Sequence, residues 1–169
     1  MLDAQTLFEK ARQSKRVLWI LNKALHRMIP FNKPHGLLIQ EVTPESTKVM
    51  IPYKRKNQNH LKGLHACVLI TGAEYCSGLV LLQHLPPKSF RLIMKELSVV
   101  YHYQAKMESF AQFGLSREEL NRQLGEGFQS TGVGDVQCDV VVSDAEGNSI
   151  CTVTTHWQIK DWSKVKTKV

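Results

Sequence analysis

The stretch His65-Ala66-Cys67-Val68-Leu69-Ile70-Thr71-Gly72-Ala73-Glu74-Tyr75-Cys76-Ser77-Gly78-Leu79-Val80-Leu81-Leu82-Gln83-His84-Leu85 decides the architecture. Pro86 and Pro87 stop it, and its apolar residues cover most of a helical circumference, so it reads as a long helix buried on nearly all sides. The small residues Ala66, Gly72, Ala73, Ser77 and Gly78 let another element pack very close to it. Between Lys62 and Lys88 the only formal charge in 25 residues is Glu74. Burying an ionised carboxylate costs several kcal/mol or drives its pKa upward, so Glu74 is either partnered or used as a general base or nucleophile. Thr71, Gly72, Glu74 and Ser77 interrupt the run, so stable membrane insertion is not expected.

Upstream, residues 3–28 read as one helix. Leu7, Ala11, Leu18, Leu21, Leu25 and Met28 recur at three-and-four spacing, Asp3 can cap the start and Pro30 ends it. One face is apolar and the other basic, and packing against its own domain is the preferred use of such a helix over a membrane surface. Gly36 to Val42 and Thr47 to Tyr53 read as a hairpin joined through Thr43-Pro44-Glu45-Ser46. A polar loop, Lys54 to Gly63, leads into the long helix.

Downstream the period changes to two. Leu97, Val99, Tyr101 and Tyr103 form the inward side of a half-buried strand, and a second strand follows to Phe113. Ser116-Arg117-Glu118-Glu119 is a capping box opening a short helix that ends near Gly125. Val136 to Val142 and Cys151 to Ile159 alternate again around a turn at 144–148, which makes a closing hairpin. The expected class is α+β: a long central helix wrapped by an antiparallel sheet, with an N-terminal helix. Its divisions are a helical extension at 1–30, the main domain at 31–162 and a polar tail at 163–169.

A length of 169 residues fits one domain, and 43% hydrophobic with 22% charged residues is ordinary for a soluble globular protein. Cys67, Cys76, Cys138 and Cys151 form no CxxC pair and no zinc spacing. They read as reduced, buried thiols in a cytoplasmic protein without a metal. The net charge of +7 is either a solvated surface or a footprint for an anion such as nucleic acid, acidic lipid or a phosphorylated cofactor. Nucleic acid is not expected, because the basic residues are not interleaved with exposed aromatics.

The string Asn59-His60-Leu61-Lys62-Gly63-Leu64-His65, with Glu74 beyond it, resembles the hot-dog fold acyl-CoA thioesterases, in particular those related to the phenylacetate-pathway enzymes. In that family an Asn precedes a His by six residues and an acid follows it by nine, as Asn59, His65 and Glu74 do here, and Gly63 falls in the same loop. Leu115 to Phe128 and Val140 to Ile159 also resemble a largely uncharacterised branch of hot-dog thioesterases. Two departures stand out: the family's His-Gly-Gly is His65-Ala66-Cys67, and the acid is Glu rather than Asp.

The resemblance implies hydrolysis of acyl-CoA or acyl-carrier thioesters, no cofactor, and a homodimer or a dimer of dimers. Glu74 is then the catalytic acid, as base on water or as nucleophile through an anhydride. Asn59 positions the water or carbonyl, and His65 orders the loop. Gly63, Leu64 and Ala66 meet the substrate, with the Ala66 N–H, alone or together with that of Leu64, receiving the oxyanion at the positive end of the helix. Glu74 and His65 lie about 13 Å apart along a helix, too far for one carbonyl, so a partner chain completes the site. Taken singly, His65 reads as a cap, Asn59 as a turn residue and Glu74 as half of an ion pair. The rivals are an acyl or acyl-CoA binding protein without turnover, favoured by Ala66-Cys67, and an enoyl hydratase or dehydratase.

Overall fold

The computed structural model describes residues 4–164. Asp3 and most of the polar tail lie outside them. The N-terminal stretch is two helices rather than one, α1 (Ala4–Gln13) and α2 (Lys15–Met28). The break falls at Ser14, which leaves the helical region and caps α2 by accepting from the Val17 N–H at 3.4 Å. The hairpin β1 (Leu38–Val42) and β2 (Ser46–Ile51) follows, then the long helix α3 (Ala66–His84). β3 (Phe90–Tyr101), β4 (Ser109–Gly114), α4 (Arg117–Leu124), α5 (Gly127–Thr131), β5 (Val133–Asp144) and β6 (Ser149–Asp161) complete the fold. The short α5 has no counterpart in the sequence reading.

The six strands form one antiparallel sheet in the order β1-β2-β4-β5-β6-β3, and it wraps around α3. α3 is apolar on nearly every side, and Val68, Leu69, Ala73, Cys76, Leu79 and Val80 are buried in the core. Length and hydropathy alone would let α3 cross a membrane, but 61% of that window is buried inside the fold. Gly72 is required by close approach to β2, because a Cβ there would lie 2.5 Å from Ile51 Cδ1, whose side chain is fully buried. On the other side Trp157 of β6 packs over Gly78 and donates its indole N–H to Ser77 Oγ at 3.2 Å. Helix and sheet are thereby held in one register.

The two edges of the sheet are treated differently. At β1, the Asn22 side chain of α2 accepts from Ile39 N–H at 2.8 Å and donates to Ile39 C=O at 3.1 Å, and His26 bonds the Leu37 C=O. A helix side chain thus satisfies backbone that would otherwise template another strand. At β3, by contrast, the outer edge pairs with nothing among the described residues. A bulge between Met94 and Glu96 shifts its phase, so Leu92, Met94, Leu97 and Val99 turn inward while Ile93 and Val100 stay exposed. Tyr101 and Tyr103 depart from the expected inward row: both are exposed, because the strand ends at Tyr101.

Two further expectations are corrected. Cys76, Cys138 and Cys151 are free and buried, but free Cys67 is exposed on the first turn of α3. Only half of the capping box forms. Ser116 Oγ accepts from Glu119 N–H at 3.1 Å, but the Glu119 carboxylate turns to Arg122 and Gln123. Arg122 offers it two charge-assisted bonds in place of one to the backbone.

Candidate active site

The loop before α3 is built by asparagine side chains. Asn57 donates to His35 C=O and Pro52 C=O, both at 2.9 Å, and its own carbonyl accepts from His65 N–H at 2.8 Å. Asn59 Oδ1 accepts from Leu61 N–H at 2.9 Å and Gly63 N–H at 3.1 Å, while Asn59 N–H donates to Gly63 C=O. The Asn59 acceptor is therefore committed to the turn. A Cβ on Gly63 would sit 3.0 Å from Gln104 Nε2 and 3.2 Å from the Ala105 carbonyl oxygen, so a side chain here would press its neighbours back by a few tenths of an ångström. The neighbouring Leu64 N–H donates to that same Ala105 C=O at 2.8 Å. That donor is therefore occupied within the chain, while the Leu64 residue itself lines the neighbouring cleft.

His65 caps α3, with Nδ1 accepting from Cys67 N–H at 3.1 Å. Of the backbone donors entering the helix, Leu64, His65 and Cys67 are thus occupied, and the Ala66 N–H meets no acceptor among the described residues. It borders a cleft of about 420 Å³ lined by Asn59, Leu64, Leu69, Tyr101 and Tyr103. If His65 acts as a cap, His65→Asn keeps most of the activity, whereas His65→Ala lowers stability by about 1 kcal/mol. Melting curves and turnover of both variants check this, and equal loss of turnover in both would make the imidazole itself the working group.

Glu74 occupies a different cleft, about 240 Å³, with Ile29, Asn32, Tyr75, Leu82, Leu92 and Trp157 around it. The carboxylate is half-buried and makes no ion pair or hydrogen bond among the described residues. Burial alone pushes its pKa above the ordinary 4.5. The adjacent Tyr75 hydroxyl is buried without a hydrogen-bond partner among the described residues. Burial first, then the Glu74 charge, raises its pKa, so it stays a neutral donor. Nothing in the sequence pattern separated Tyr75 from an ordinary core aromatic. Within one chain, then, Asn59, Leu64 and Ala66 line one cleft, with Gly63 and His65 in the same loop, and Glu74 stands apart at the other. Among the described residues no group of three His, Cys, Asp or Glu side chains is placed to hold a metal ion.

Residues 18–159 match the family model described as a domain of unknown function, DUF4442. The chain belongs to this family. No curated protein matches it in sequence. Among solved structures, it is similar to a Pseudomonas aeruginosa protein named a probable thioesterase. They share 23% identity over 80% of this chain and 90% of that one, with a TM-score of 0.73. A thioesterase of Haemophilus influenzae matches at 10% identity over 86% and 92% of the two chains, TM-score 0.66. A mutant thioesterase of Staphylococcus aureus matches at 14% over 77% and 98%, TM-score 0.63. These likenesses establish that the family member described here has the hot-dog fold of thioesterases, as the sequence resemblance implied.

Proposed function

We propose that this protein hydrolyses acyl-CoA or acyl-carrier thioesters at a site shared by two copies of the chain, in the cytoplasm and without a cofactor. The observation that carries the reading is the placement of the two clefts on one open strand. Leu92, near the start of β3, lines the Glu74 cleft, and Tyr101, at its end, lines the Ala66 cleft. Antiparallel pairing of β3 with a partner's β3 about a two-fold axis near its middle brings the Leu92 end of one chain against the Tyr101 end of the other. Each Glu74 then approaches the helix start of its neighbour, giving two equivalent sites.

In such a site Glu74 takes a proton from water as the water oxygen bonds to the thioester carbonyl carbon. The carbonyl π electrons move to oxygen, which the Ala66 N–H and the positive end of α3 stabilise. Collapse of this intermediate breaks the carbon–sulfur bond, and the thiolate leaves with the proton that Glu74 returns. The apolar wall of Leu79, Leu82, Leu92 and Trp157 beside Glu74 suits an acyl chain.

Thiol release from a panel of acyl-CoA substrates tests the reading. Because only ionised Glu74 can take the proton, kcat/KM should rise with pH through an apparent pKa above 4.5. No thiol release from any chain length, a profile already flat at pH 4.5, or water addition to enoyl-CoA in its place would each overturn it.

A further inference from the structure

Residues 10–40 carry seven Lys or Arg and no Asp or Glu, which equals the whole net charge of +7, and the rest of the chain balances fifteen cations against fifteen acids. The centre of this segment is α2. Its inner face, with Leu21, Asn22 and Leu25, is buried against the β1 edge. Its outer face presents Arg16, Trp19, Ile20, Lys23 and Arg27, all exposed. Trp19 is 62% and Ile20 48% exposed. A helix already packed on one side needs no large apolar residues on the other, so the pair marks a surface that leaves water in some other state. Lys23 Nζ lies 5.5 Å from the centre of the Trp19 ring, which sets a cation directly on the aromatic. Trp19 also walls an open groove of about 520 Å³ between α2 and β1, together with Lys15, Asn22, Lys23, His26 and Gln40.

We infer that the outer face of α2 docks this protein on an anionic lipid surface. The charges flank the apolar pair as they do on helices that lie in the interface plane, where rings and aliphatic groups sink to the acyl boundary and Lys and Arg meet phosphates. Trp19 is an exposed aromatic among the basic residues, contrary to the expectation that they carry none. A second copy of the chain fits this face poorly. A two-fold contact would set Arg16, Lys23 and Arg27 against their own images. Single-stranded nucleic acid fits less well than lipid, because it asks for successive stacking rings and this face offers one ring beside an aliphatic side chain. α2 lies along β1, at the opposite end of the sheet from the open β3 edge, so docking leaves that edge available.

Flotation with vesicles tests the inference and requires no turnover, so it stands or falls apart from the proposed hydrolysis. The full chain should float with phosphatidylcholine vesicles containing phosphatidylglycerol, stay behind with phosphatidylcholine alone, and release as salt is raised. Arg16→Gln with Lys23→Gln should lower the partition coefficient about 30-fold. Trp19→Ser with Ile20→Ser should lower it about tenfold. All four positions are exposed, and unchanged melting curves would show that the variants fold. The inference is overturned by no flotation with either vesicle, by flotation that the variants do not change, by a variant-sensitive change of mass in solution without lipid, or by a gel shift with nucleic acid that outcompetes the vesicles.

Discussion

Glu74→Gln is expected to lower thioester hydrolysis about 100- to 10,000-fold while leaving the protein folded. The substitution keeps shape and removes the ability to accept a proton or to attack carbon. Its effect on stability has the opposite sign. Burial raises the Glu74 pKa in the folded chain above the ordinary 4.5, so the folded state binds a proton more tightly than the unfolded state does. Stability contributed by this group is therefore present in acid and lost as pH rises through the folded pKa, because the ionised form sits desolvated without a cation. Gln carries no such penalty. At pH 7 the variant should melt at the same temperature as the parent or higher, and its stability should change less between pH 4.5 and 7. Loss of activity together with a large fall in melting temperature would point to a structural carboxylate instead, and unchanged activity would remove Glu74 from the chemistry.

Ile93→Lys combined with Val100→Lys should turn the assembled protein into a monomer and abolish hydrolysis. Both side chains are exposed on the outer face of β3, so the substitutions leave the core of each chain intact. Pairing about the middle of the strand sets position 93 of one chain near position 100 of the other. Like charges would then face each other directly across the new ladder. A two-fold interface repeats each change, and four substituted positions at about 1 kcal/mol or more each weaken association about 1000-fold. Light scattering across a range of concentrations, run beside the thiol-release assay, reads both effects. A variant that stays assembled and active would show that the chains meet elsewhere, and one that is monomeric yet active would show that a single chain suffices.

Much of the fold was legible because its strongest signals are local. The uncharged run ended by Pro86-Pro87 could only be a buried helix, and α3 spans Ala66–His84. The alternation around 144–148 could only be a hairpin, and β5 pairs with β6 in register from Val133 to Val142. What escaped depends on competition between partners that spacing does not rank. Ser14 prefers capping α2 to continuing α1. Glu119 prefers Arg122 to its own backbone. β3 stops at Tyr101, which leaves that ring exposed where continued alternation from Leu97 and Val99 would turn it in.

The candidate site divides in the same way. The string from Asn59 to His65 declared a polar turn at a helix start, and the turn is there. The Ala66 N–H expected to be left over is so; that the Leu64 N–H is taken was not legible, since it depends on the Ala105 carbonyl, forty-one residues beyond Leu64. The unpartnered Tyr75 hydroxyl was equally hidden, because a tyrosine inside an apolar run looks like core.

The two-copy site can be tested with chains that are each defective in a different half. Ala66→Pro deletes the unpaired N–H at the first helical position, where proline is tolerated, and His65 already has the extended backbone a following proline needs, at φ −65 and ψ 139. Glu74→Gln deletes the carboxylate. Each variant alone should be inactive. Mixed in equal amounts and allowed to exchange subunits, they should recover roughly a quarter of the parent activity, since half the dimers are mixed and each of those holds one complete site. Activity that stays at the level of the separate variants after verified exchange would contradict a site shared between chains.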